Sequence, residues 1–190
     1  MKRMAMMALI FGLGVTSVYA QTIHVNMTFS GNGSPTAADL KQPASNNVEE
    51  NVAGTGTLGS FTFRDVRAAS MMPQTSPTCS GSFFPALAGG AILRFQDGSL
   101  LKLSLRADGS GDCIDFVKMR ATCTLIFDVL KTGTGRFQNA SGVLTYVENA
   151  EPVVFDKPGM SVGLGTEVGT ITGTISGIGQ NDEDRNGDRQ

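Results

Sequence analysis

Hydrophobic residues along this chain fall mostly at alternate positions, the spacing of half-buried strands rather than of helices. In TIHVNMTFS (Thr22 to Ser30), Ile23, Val25, Met27 and Phe29 share one face, and His24, Asn26 and Thr28 the other. The pattern resumes in GTGTLGSFTFRDV, Gly54 to Val66, with Phe61 and Phe63 on one face. Two further runs place Ala91, Leu93 and Phe95, then Leu101, Leu103 and Leu105, on single faces. Ala121, Cys123, Leu125, Phe127 and Val129 alternate with Thr122, Thr124, Ile126 and Asp128, and another strand starts near Gly142. VGTITGTISGI, Val168 to Ile178, puts Gly169, Ile171, Gly173, Ile175 and Gly177 on one face. That alternation of small and large residues suits the tapered inside of a small barrel.

The stretches between read as loops. Gly31 to about Asn51 is polar and rich in Pro, Asn and Ser, Ala68 to Gly89 carries three prolines, and ADGSGDC (Ala107 to Cys113) is glycine-rich. Asn149 to Leu164 fits no single pattern and reads as a loop with one short strand near Val153 and Val154. The best-defined hairpin joins the Leu93 and Leu101 runs. A two-residue Asp97-Gly98 turn would set Leu93 opposite Lys102. A three-residue loop Gln96-Asp97-Gly98, with Gly98 in the left-handed region, sets Leu93 opposite Leu101 and Ala91 opposite Leu103. Register favours the second.

The most informative passage is TGTGRFQNASGVLTY, Thr132 to Tyr146, where Gly133 and Gly135 turn the chain between two extended runs. GTGRFQNASG, Gly133 to Gly142, resembles the G-T-G-x-F-x-x-A-x-G motif of the allene oxide cyclase and dirigent β-barrels, and more closely their secreted bacterial look-alikes. The resemblance runs from about Gly90 to Tyr146. It implies an all-β fold: a single closed antiparallel barrel of about eight strands with long loops. It carries over no catalytic residue, because no second motif places one on this chain.

Composition and charge narrow the picture. There are 24 glycines and no tryptophan, as expected of short strands and turns. The first 20 residues read as a signal peptide: basic Lys2 and Arg3, an apolar run from Ala5 to Val15, then Val18-Tyr19-Ala20 before the cut. That run is too short to span a bilayer, which takes roughly 20 residues. Residues 21–179 then form the barrel domain and 180–190 a charged, disordered tail. The expected location is secreted or periplasmic. Removing Lys2 and Arg3 takes the formal charge from −2 to −4, with no basic stripe for nucleic acid.

Three cysteines in an oxidising compartment allow one bridge and one leftover thiol. Cys79 and Cys113 both sit among loop residues, and Cys123 lies on an apolar face, so Cys79–Cys113 is the favoured pair and Cys113–Cys123 the alternative.

Recognisable chemistry is sparse. Gly54-x-Gly56-x-x-Gly59 matches a dinucleotide fingerprint, but a strand follows where a helix is required. Asp182-x-Asp184-x-Asn186-Gly187 starts like a calcium loop and lacks its last ligands. His24, the one histidine, falls on a polar face. No catalytic residue, metal ligand or cofactor is expected. Asp112, Asp115, Glu148 and Glu151 are carboxylates near strand ends, where a barrel mouth could use them or leave them solvated. Phe61, Phe63, Leu93, Phe95, Leu125 and Phe127 alternate inward and are the candidates to line a pocket for a small apolar molecule. Binding of such a molecule is the first expectation for function. A cyclase-like or stereochemistry-directing enzyme is the alternative that the resemblance implies, and a packed structural barrel is the third.

Overall fold

The computed structural model describes residues 22–157 and 161–179, so the expected signal peptide and tail lie outside the described residues. Eight antiparallel strands close into a barrel in sequence order. They are β1 (Thr22–Pro35), β2 (Ser45–Gly56), β3 (Phe61–Ser70), β4 (Ser82–Phe95), β5 (Leu100–Asp115), β6 (Arg120–Leu130), β7 (Ser141–Lys157) and β8 (Ser161–Ser176). Closure comes from β1 pairing with β8, which leaves no unpaired edge.

The alternating faces hold. Val25, Met27, Phe29, Leu93, Leu101, Leu103, Leu125, Phe127, Ile171 and Ile175 all join one buried core, and His24 is exposed. The β4–β5 hairpin has the expected register, Leu93 opposite Leu101 and Ala91 opposite Leu103, with Gly98 at φ 80°. Gly135 is left-handed at φ 59°, and it opens a short 3₁₀ turn, Gly135–Phe137, that drops Phe137 fully into the core. Arg136 lies over the Phe95 and Phe137 rings, each centroid 4.8 Å away, and donates to the Leu58 carbonyl at 2.5 Å. This end of the barrel is thereby shut.

The loops are shorter than expected. β1 and β2 extend through most of Gly31 to Asn51, leaving only residues 36–44 as the connection. β3 and β4 leave 71–81, and β5 runs unbroken through Ala107 to Cys113 with its register shifted against β6 between Arg106 and Gly111. Asn149 to Leu164 is likewise mostly strand, shared by β7 and β8. These extensions lengthen the barrel toward one end, and their inner faces are not apolar. That is why hydrophobic alternation alone stopped short of them.

Candidate functional site

The barrel interior divides along its axis. At the end carrying the β2–β3, β4–β5 and β6–β7 turns lies the apolar half. All six residues expected to line a pocket are there, and they pack on one another: Phe61 on Phe95 at 6.2 Å, Phe63 edge-on to Phe127 at 6.2 Å, Phe95 on Phe137 at 4.8 Å. Leu93 and Leu125 are fully buried between these elements. These side chains form core.

The other end carries the connections 36–44, 71–81 and 116–119. There the same inward-facing register meets charge. On β3 the face that begins Phe61, Phe63 continues as Asp65 and Arg67; on β7 the run Leu144, Tyr146 continues as Glu148. β2 contributes Glu50, two residues before Val52, and β8 contributes Glu167, two before Gly169. Strand pairing makes them neighbours. Glu50 stands opposite Asp65, Asp112 opposite Cys123, and Cys123 opposite Glu148. Glu50, Asp65, Arg67, Cys123, Glu148 and Glu167 are all buried. Gly33 of β1 faces this layer, and a Cβ there would collide with the Glu167 carboxyl, so its missing side chain is the room Glu167 uses.

Arg67 is the hub. Its guanidinium pairs with Glu50, with Asp65 Oδ2 at 3.2 Å, with Asp112 Oδ1 at 3.2 Å and, more loosely, with Glu148 Oε1 at 3.7 Å. Reaching Asp112 on β5 requires crossing β4, which is small at that level: Arg67 pairs with Gly89, and a Cβ on Gly89 would press on the Arg67 stem. Tyr146, stacked between Phe29 at 4.5 Å and Phe63 at 5.0 Å, joins the two halves. Its hydroxyl donates to Glu148 Oε2 at 2.6 Å, and the Glu50 backbone N–H donates to Asp65 Oδ1 at 3.1 Å.

Five carboxyl groups therefore face one guanidinium in a low-dielectric interior. Burial, reinforced by the charge of Glu50, pushes the Asp65 and Glu148 carboxyls well above the usual range against the pull of Arg67. The same causes raise Glu167 to about 9. Burial also pushes the Cys123 thiol and the Tyr146 phenol up. Burial opposes the charge on Arg67, but the acidic groups around it outweigh it and hold the guanidinium firmly protonated. Three polar atoms of this layer have no hydrogen-bond partner: Glu50 Oε2, Glu167 Oε2 and Arg67 Nε. Buried polar atoms are almost always paired, so three such atoms in one layer set it apart from the rest of the interior.

Of the four carboxylates that sequence alone singled out, the structure brings two, Asp112 and Glu148, into this layer. Asp115 instead accepts from the Val117 and Lys118 backbone in the β5–β6 turn, and Glu151 pairs with Arg120 on the outside. Glu50, Asp65, Arg67, Tyr146 and Glu167 were missed. The favoured disulfide, Cys79–Cys113, is present and staples the 71–81 connection beside Asp112; Cys123 is a free, buried thiol. Gly54 and Gly56 end β2, and β3 follows, so the dinucleotide fingerprint has no helix to open. No family model, no curated protein and no solved structure matches this chain.

Proposed function

We propose that this protein is an exported binding barrel whose ligand site is the carboxyl-rich end of its interior. The ligand brings positive charge, or several hydrogen-bond donors, to that end. One observation carries the reading: four carboxyls meet a single guanidinium with Glu167 buried beside them, and Glu50 Oε2 and Glu167 Oε2 are left without partners. A buried carboxylate without a partner costs several kcal/mol, and a protein alone offsets this by holding protons there. A cationic ligand replaces those protons and gives the orphan oxygens a partner. Strongly perturbed carboxyls gathered in one interior layer support the reading of that layer as a functional site. The disulfide supports export to an oxidising compartment. The ligand differs from the apolar one that the inward phenylalanines suggest, because those rings are engaged with one another.

A second reading is a cyclase- or isomerase-like enzyme, in line with the resemblance to allene oxide cyclase and dirigent barrels. The hydrogen bond from Tyr146 to Glu148 favours it, since that pair sets a proton donor and a carboxyl side by side at the boundary with the apolar half. Native mass spectrometry of the protein from its own host, before and after extraction, tests the main reading. A bound mass lost in Glu50→Gln, or a thermal shift with amines or guanidines, is the expected result. A single unliganded mass and no shift with any cation would overturn it. Turnover of a bound compound would move the conclusion to the second reading.

A further inference from the structure

We infer that Glu50, Cys123 and Glu148 form a site for one borderline-soft divalent metal ion, zinc or cobalt, held by two carboxylates and a thiolate. This rests on the reading of the carboxyl-rich end as the ligand site, and it names the cation. The three side chains come from β2, β6 and β7, and one ligand atom of each lies within 4.8 Å of the others. All three are buried. Tetrahedral zinc, with Zn–S about 2.3 Å and Zn–O about 2.0–2.2 Å, sets its ligand atoms roughly 3.3–3.7 Å apart, so a closure of about 1 Å would bring the three protein ligands to bonding distance, with water as the fourth.

The second observation is independent of the clustering. Glu50 turns one oxygen to Arg67, and the other, Oε2, is fully buried with no partner. Glu148 is anchored through Oε2, which accepts from Tyr146 at 2.6 Å, and its carboxyl also reaches Glu50 within hydrogen-bonding distance, besides a loose contact of Oε1 with Arg67 at 3.7 Å. Each carboxylate is thus oriented through one oxygen, by Arg67 for Glu50 and by Tyr146 for Glu148, and the two carboxyls face each other beside Cys123. That is the arrangement by which outer groups aim metal ligands, with Arg67 and Tyr146 in that role. A thiolate with only two carboxylates selects against calcium and magnesium, which take six or more oxygens, and for zinc or cobalt. Binding is an exchange without redox change: the Cys123 thiol and any proton on the two carboxyls give up hydrogen ions to solvent as the metal enters.

The test uses the full chain with its disulfide intact, dialysed against EDTA and titrated with cobalt(II). The expected result is one ion per chain, a near-ultraviolet thiolate-to-cobalt band, visible bands of tetrahedral cobalt, and loss of both on adding zinc. Cys123→Ser should abolish the thiolate band, and Glu50→Gln should weaken binding on the order of tenfold or more. Circular dichroism confirms that each variant is folded. The wild-type protein decides the matter even if a variant does not fold. No thiolate band in wild type overturns the inference, and so does a band that survives Cys123→Ser. A chain that ignores cobalt yet is stabilised by an organic amine overturns the metal and leaves the carboxyl-rich end as a binding site. Indifference to both removes the two readings together.

Discussion

Replacing Arg67 with Met keeps most of the apolar stem and removes the one cation among five carboxyls. The guanidinium makes close pairs with Glu50, Asp65 and Asp112, all in the interior layer. Breaking one partner out of such a network costs about 3–5 kcal/mol, because it leaves uncompensated buried charge. The loss depends on pH. Without Arg67 the folded protein holds its carboxyl protons to higher pH, while the unfolded chain titrates as before. The variant's stability then falls more steeply as pH rises, by about 1.4 kcal/mol per pH unit for each extra proton bound. Between pH 5 and pH 8 a single extra proton changes the penalty by roughly 4 kcal/mol, enough to remove most of it at the acid end. Urea unfolding of metal-free protein at both pH values reads this directly. With a slope of about 2 kcal/mol per molar, the midpoint should drop by roughly 2 M at pH 8 and far less at pH 5. An equal drop at both would mean that Arg67 acts by packing alone, and the electrostatic account of this layer would fail.

Phe137→Ala empties the shut end of the barrel and should cost about 3–5 kcal/mol at either pH, which makes it the pH-independent control for Arg67→Met. Gly135→Val forces a β-branched residue to φ 59° and against the Ser99 side chain, and should lower the urea midpoint by an amount worth on the order of 1–3 kcal/mol or more. Wild-type stability itself should fall as pH rises. Glu167 is protonated in the folded chain up to about 9 and titrates near its ordinary value when unfolded, so its contribution is complete in acid and is lost across that interval. A midpoint that climbs with pH over this range contradicts the assignment. Cys123, buried with its thiol pushed up, should resist iodoacetamide until urea unfolds the chain; labelling of the native protein would place it at the surface.

The apolar half of the barrel was legible because two signals coincide there. Inward positions are hydrophobic and turns are marked by glycine, so Leu93 opposite Leu101 and the left-handed Gly98 follow from pattern alone. Toward the other end the same strands continue with inward residues that are small or charged: Gly31, Gly33 and Glu50, Asp65 and Arg67, Glu148, Glu167. To a rule that looks for apolar alternation, such a strand looks like a loop, as Gly31–Asn51, Ala107–Cys113 and Asn149–Leu164 do. The signal that could have found the site was parity. Asp65 and Arg67 are in phase with Phe61 and Phe63, Glu148 with Leu144 and Tyr146, and Glu167 with Ile171 and Ile175. Several charges in phase with a buried face are costly unless they meet, and strand order decides whether they do. That order comes only from closure of the barrel.

The division of the interior also explains how the fold bears its polar layer. Each well-buried Phe or Leu contributes about 1.5–3 kcal/mol, and the apolar half holds Phe61, Phe63, Leu93, Phe95, Leu125, Phe127 and Phe137 in mutual contact. The polar half spends part of that, since an apolar layer of the same volume is often as stable or more so than buried ion pairs. Stability therefore gives no reason for Glu50, Asp65, Asp112, Glu148 and Glu167 to converge on one arginine. The Cys79–Cys113 bridge ties the 71–81 connection to the strand that carries Asp112. One end of the barrel supplies the apolar core and the other gathers the charged groups, and Tyr146 belongs to both: its ring stacks in the core and its hydroxyl points to Glu148.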